Sequence, residues 1–242
     1  MRIFLAGAAG VVGRRLTPFL VAAGHVVIGT TRSDEKAREL RALGADAAIV
    51  DVFDKDALRQ AVVAARPGVV IHQLTDLPQV FDPAGLAAVL RRNTRLRIEG
   101  TANLVAAAQA AGVRRLVAQS IAFAYAEGPE PHAETDPIAS PEGDEPSAVT
   151  ARGVRALEAA ALNTPGIDGI VLRYGRLYGP GTWFEAVHGR GPLHVDAAAQ
   201  AALLAVTRGA PGVYNIAEDD GALTVEKARK ELGFDPAFRL PT

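Results

Sequence analysis

Apolar residues fall in short unbroken runs rather than in alternation, and between the runs they recur three or four positions apart. A run bounded by turn residues reads as a strand buried on both faces, and the intervening spacing reads as an amphipathic helix. Strands are expected over 2–6, 25–30, 47–50, 69–74 and 115–119. Helices are expected over 11–23, from Ser33 or Asp34 to Gly44, from Asp54 or Asp56 through 65, and over 83–111, with Gly24 and Gly112 as further stops. The rhythm breaks from 127 to 147, an acidic stretch with five prolines that reads as a surface loop over the site. It resumes with a helix over 150–162, a strand over 169–173, a helix over 197–207, a short strand over 213–216 and a helix over 225–232. Continuously apolar strands joined by helices imply a parallel sheet covered on both faces, the α/β doubly wound fold. The whole of 1–242 reads as one domain, to which 174–194 and 214–242 contribute a small, reduced C-terminal lobe.

In open sheets of this kind ligands bind beyond the carboxyl ends of the strands. The first strand runs straight into Gly7-Ala8-Ala9-Gly10-Val11-Val12-Gly13 and then a helix. Gly7 permits the tight turn, Gly10 lets the backbone approach a pyrophosphate, and Gly13 lets helix and strand lie close; the N–H groups from Ala9 to Gly13, Val11 and Val12 included, face the anion. A dinucleotide is the ligand this arrangement suits. After the second strand an NAD site would carry an acid for the ribose hydroxyl, but the chain reads Thr31-Arg32-Ser33, with Arg32 nineteen residues past Gly13. A guanidinium between hydroxyls suits a 2′-phosphate, so NADP is preferred over NAD; a helix-capping surface arginine is the plainer alternative. Asp51 and Val52 are placed to meet the adenine, with a surface aspartate as the alternative, and Gln73, Leu74 and Tyr174 follow later strands on the same rule.

Charge and composition narrow the partners. The net charge of −1, with 49% hydrophobic and 22% charged residues, gives no field for nucleic acid or an anionic membrane. There is no cysteine, and the five histidines have no metal-ligand spacing. No apolar run approaches the roughly 20 residues of a membrane span, and the amino terminus does not read as a signal peptide, so a cytoplasmic protein acting on a small molecule is expected.

Several strings together resemble the short-chain dehydrogenase/reductase superfamily, specifically its extended and atypical NAD-dependent epimerase/dehydratase family. Gly7 to Gly13 is similar to its glycine motif, Glu99-Gly100-Thr101-Ala102-Asn103-Leu104 to its N-x-x-G-T-x-N-L helix, and Leu172-Arg173-Tyr174-Gly175-Arg176-Leu177-Tyr178-Gly179-Pro180-Gly181 to its L-R-P-x-x-x-Y-G-P-G segment. His194-Val195-Asp196, Tyr214-Asn215-Ile216 and the segment from Lys227 to Gly233 are similar to its later elements. The resemblance implies a Rossmann fold and NAD(P) binding. It also implies a homodimer through the helices near 83–111 and 150–162, whose alanine-rich faces could equally pack within the chain.

The family's Tyr-x-x-x-Lys pair is missing. Against the glutamate that follows that lysine, here Glu158, Thr150 stands at the tyrosine and Val154 at the lysine. Arg97 takes the asparagine position of N-x-x-G-T, Ile121 takes the usual Ser/Thr position, and few residues separate the Y-G-P-G loop from His194. Ser120 and Tyr125, just past the fifth strand, are the candidate catalytic donors, with Tyr174 and His132 as substitutes. The expected function is an NAD(P)-dependent oxidoreductase or epimerase/dehydratase-like enzyme with a non-standard acid–base residue, acting on a small carbonyl or hydroxyl compound. The alternative is a non-catalytic NAD(P)-binding regulatory or accessory protein.

Overall fold

The computed structural model describes residues 1–78 and 80–240; the last two residues of the expected C-terminal lobe lie outside them. Seven parallel strands form the central sheet: β1 (Arg2–Ala6), β2 (Val26–Thr31), β3 (Asp46–Ile49), β4 (Val69–His72), β5 (Arg115–Ile121), β6 (Asp168–Tyr174) and β9 (Gly212–Ile216). Their order is β3-β2-β1-β4-β5-β6-β9, so the winding direction reverses between β1 and β4. That reversal opens the crevice in which a doubly wound sheet takes its ligand.

Side chains alternate across each strand, and the two faces build two cores. Ile3 and Leu5 of β1 pack with Leu16 and Leu20 of α1 (Val11–Ala22) and the alanines of α7 (Val195–Leu204). Phe4 and Ala6 face the other way, toward Leu58 of α3 (Lys55–Ala65), Leu104 of α5 (Thr101–Ala110) and Leu157 of α6 (Pro146–Leu162). Short α2 (Asp34–Ala42) flanks the β2–β3 edge, its start capped by Ser33.

Boundaries depart from the sequence reading where pairing or capping decides them. β5 runs on to Ile121 because its register with β6 continues through Ser120↔Arg173 and Ile121↔Tyr174. Ser120 therefore lies inside the strand rather than after it. α6 begins at Pro146, where a proline suits the first helical position, four residues ahead of the expected start. The expected 83–111 helix is α4 (Leu86–Arg95) and α5 joined by a π-helical turn, Leu96–Gly100, that widens the ladder by a residue. α4 and α5 pack on α6 within the chain, while Ala106, Ala110 and Ala159 stay exposed. Two three-residue strands, β7 (Arg176–Tyr178) and β8 (Pro192–His194), pair outside the main sheet and frame the reduced lobe. They are too short to leave a periodic signal. The loop after β5 is held by bridges Tyr125↔Ile138 and His132↔Leu223.

Candidate functional site

The glycine loop and the end of β4 are pressed together at the switch point. Gly7 has φ of +87°, and a side chain there would stand 2.6 Å from the Gln73 carbonyl carbon; at Gly13 it would stand 2.2 Å from the Gly7 oxygen. Only hydrogen atoms fit in either place. Thr30 fixes the turn by accepting the Gly7 N–H at 3.1 Å. The following helix α1 starts at Gly10 with no side-chain cap and no acid in its first turn, so its free N–H groups and dipole remain available to an anion. Ala9 is half-buried and Val11 exposed, while Val12 is buried against the core. Gly181 of the loop beyond β7 comes near Val11 and borders this cradle.

The residues expected on the adenosine side lie at the ends of β2 and β3. Thr31 is buried, with its hydroxyl accepting the Ser33 N–H at 3.2 Å, and the Ser33 hydroxyl in turn caps α2. Arg32 is exposed between them, and no ion pair holds its guanidinium among the described residues. Asp51 accepts the Phe53 N–H at 2.9 Å, and Val52 is buried with its carbonyl accepting from Asn103 at 3.0 Å. Across the switch point, Gln73 donates to the Tyr174 hydroxyl at 3.2 Å, and that hydroxyl donates to the Ala198 carbonyl at 3.1 Å. These bonds fix the amide's orientation and leave Gln73 Oε1 buried without a partner among the described residues. An orphaned acceptor at the end of β4 is the kind of group a ligand satisfies. Tyr174 itself is fully buried, and burial raises its phenol above the ordinary value. Leu74 is half-buried and donates its N–H to His72 Nδ1 at 3.2 Å.

Ser120 and Tyr125 belong to one polar network under the carboxyl ends of β5, β6 and β9. The Ser120 hydroxyl donates to Glu158 Oε1 at 2.7 Å, and Arg173 grips the same carboxylate with Nε at 2.9 Å and Nη2 at 2.7 Å. Arg173 Nη1 donates to the Tyr125 oxygen at 2.8 Å, and the Tyr125 hydroxyl donates to Asn215 Oδ1 at 2.7 Å. Asn215 is held in turn, its N–H donating to Glu134 Oε1 at 2.9 Å. Burial pushes the Tyr125 phenol up although the Arg173 cation and both hydrogen bonds pull it down. Its ring stacks on His132 at 5.0 Å between centroids and lines a cleft of about 340 Å³ with Phe123, Arg176, Arg190 and Leu223. Glu158 and Asn215 gave no sign of this in the sequence reading, where Glu158 served only as an alignment marker. The register Ser120↔Arg173 is what brings the network together.

The acid–base positions on α6 carry no acid. Thr150 is half-buried near the start of the helix, and Val154 is fully buried among Ile121, Ala124, Ile138 and Ala151.

Comparison with known proteins decides the family. The family model described as the NAD dependent epimerase/dehydratase family matches residues 3–191. The chain belongs to that family. A curated relative from a Streptomyces species, named 3-diazoavenalumate denitrifying reductase, is 40% identical over all of this chain and 84% of its own length. Among solved structures the fold is shared with the Thermotoga maritima UDP-glucose 4-epimerase, at a TM-score of 0.78 and 20% identity over 99% of this chain and 94% of that one. It is shared as well with the yeast methylglyoxal/isovaleraldehyde reductase complexed with NADPH, at 0.77 and 18% identity over 97% and 94%. The family is NAD-dependent, and the uncapped start of α1, the two closed glycine contacts and the orphaned Gln73 acceptor fit a nicotinamide dinucleotide lying across the switch point. Among the described residues no helix is long and apolar enough to cross a membrane, and no cluster of metal-ligating side chains occurs.

Proposed function

We propose that the protein is an NADPH-dependent reductase whose small-molecule acceptor takes a hydride without needing a proton from the enzyme, an aryldiazonium compound being the class that fits best. The observation that carries this is the α6 helix, which offers Thr150 and Val154 where acid–base chemistry needs a phenol and an ammonium. Ser120 and Tyr125, the remaining candidate donors, serve the buried network in this reading: each has its proton committed to an acceptor at 2.7 Å. A bound reduced cofactor would supply a hydride, and at an aryldiazonium carbon that would balance without a proton: the C–N bond would break with N2 keeping its electron pair, a C–H bond would form, and the positive charge would end on the oxidised cofactor. The relative at 40% identity is named for a denitrifying reduction of a diazo compound, which supports the same choice.

Gly7, Ala9, Gly10, Val11, Val12 and Gly13 hold the pyrophosphate in this reading, Thr31, Arg32 and Ser33 the 2′-phosphate, Asp51 and Val52 the adenine, and Gln73 with Leu74 the nicotinamide half, with Tyr174 fixing Gln73. Phe123 and the Tyr125 ring form apolar walls of the substrate cleft. The exposed alanine face of α5 and α6 is where a second copy would pack, read out by sedimentation. The reaction is tested by supplying NADPH with an aryl diazo acid and, separately, with a panel of ketones and aldehydes, following NADPH oxidation and N2 release. Stoichiometric N2 release with idle carbonyls is expected; faster turnover of any carbonyl would sink the reading. NADPH binding without turnover of either class would favour the non-catalytic alternative.

A further inference from the structure

Val154 leaves the place of the family's lysine apolar, yet a cation reaches the same region from a neighbouring helix. Arg97 lies in the π-helical turn between α4 and α5, and insertions of this type re-aim side chains and recur at functional sites. Its stem crosses Gly153, beside Val154, so closely that a methyl on Gly153 would stand 3.2 Å from Arg97 Cδ and 3.0 Å from Thr94 Cα. The guanidinium is buried, while the residue as a whole keeps some accessible area. Burial lowers its pKa to about 10 against the pull of Glu158, and no hydrogen bond to protein assists it among the described residues.

Charge makes the isolation meaningful. Glu158 is the nearby carboxylate, and Arg173 already occupies both of its oxygens. The other neighbour, His72, is held neutral by burial first and by Arg97 second, its pKa lowered to about 4. Two guanidinium groups thus share one buried carboxylate, and an enclosed cation without acceptors is costly unless a ligand brings oxygens to it. His72 ends β4, on the far side of the switch point from the pyrophosphate cradle, and that is the half of the crevice over which the nicotinamide end of a dinucleotide lies.

We infer that Arg97 holds the hydroxyls of the nicotinamide-side ribose, so that the role of a lysine on α6 has passed to an arginine on the adjoining helix. This rests on the proposed cofactor site, and it explains why position 153 is a glycine: the guanidinium stem needs the space beside it. Titration calorimetry with NADPH and with 2′-phospho-ADP, which lacks the second ribose, separates the effects. Arg97→Met is expected to weaken NADPH by about 10- to 100-fold, the loss of hydrogen bonds from a charged donor, and to leave 2′-phospho-ADP unchanged. Arg97→Lys, keeping the charge, is expected to recover most of that loss and guards against a mere folding defect. Unchanged NADPH affinity in Arg97→Met, or equal weakening of both ligands, would overturn the inference whatever the reaction proves to be. Wild-type protein that binds both ligands but reduces no diazo compound would overturn the proposed reaction and leave Arg97's role standing.

Discussion

Removing the Glu158 carboxylate is the most direct probe of how the site is braced. The Glu158 and Arg173 side chains are 9% and 6% exposed, and three bonds of 2.7, 2.9 and 2.7 Å converge on the carboxylate from Ser120 and Arg173. Glu158→Ala strands Arg173 as a buried cation, and breaking one partner of a buried pair costs about 3–5 kcal/mol. At this length about 2–4 °C of melting temperature accompanies each kcal/mol, so a fall of about 6–20 °C is expected in a thermal scan, with urea unfolding giving the free energy. Ser120→Ala, which deletes one neutral donor, is expected to cost only about 1 kcal/mol. Glu158→Leu combined with Arg173→Met removes both charges and is expected to recover more than half of the single-variant loss, because apolar side chains of similar volume replace buried ion pairs at little cost. A Glu158→Ala protein within about 1 kcal/mol of wild type, or a double variant worse than the single, would refute the picture of a charge-balanced brace.

Gly13→Ala places a methyl 2.2 Å from the Gly7 oxygen and 2.7 Å from Ala8 Cα; since backbone must move, NADPH binding is expected to weaken by more than about tenfold with about 1–3 kcal/mol of stability lost, and wild-type titration and melting curves would contradict this. Arg32→Ala is expected to weaken NADPH by about tenfold and leave NADH unchanged, and equal losses on both in calorimetry would dismiss the 2′-phosphate contact. His72 accepts from Leu74 on Nδ1, so its proton sits on Nε2 toward Thr101 Oγ1 at 2.9 Å. Its folded pKa of about 4 lies below the ordinary 6.5, so the neutral ring costs nothing above pH 6.5 and stability drains as pH falls from there toward 4, by about 2 kcal/mol at pH 5. His72→Asn, which keeps an acceptor for Leu74, is expected to show a shallower loss between pH 7 and pH 5 in urea midpoints; identical slopes would exclude the titration.

Local patterns made the sheet and the cofactor cradle legible in the sequence, because each is written in contiguous residues: an apolar strand, a glycine triplet, a helix stop. Arg32 stood out as a candidate for the same reason, lying directly after one strand. The brace was not, since Ser120, Glu158, Arg173 and Asn215 come from three strands and a helix, and nothing short of the parallel register places Ser120 against Arg173. Tyr125 carried the opposite difficulty: its position near a strand end suggested a donor, while the acceptor that takes its proton, Asn215, is far along the chain on β9. The π-helical turn left no periodic mark either, as one extra residue in a ladder shifts the apolar stripe too little to see.

Arg97 lying across Gly153 also constrains which changes are open to this chain. A lysine in place of Val154 would bring a cation into the apolar cluster of Ile121, Ala124, Ile138 and Ala151, next to the turn of helix that the Arg97 stem already crosses at Gly153. The one-residue insertion at Leu96–Gly100 thereby sets the size allowed at position 153, where any side chain must displace the arginine stem or the backbone at Thr94.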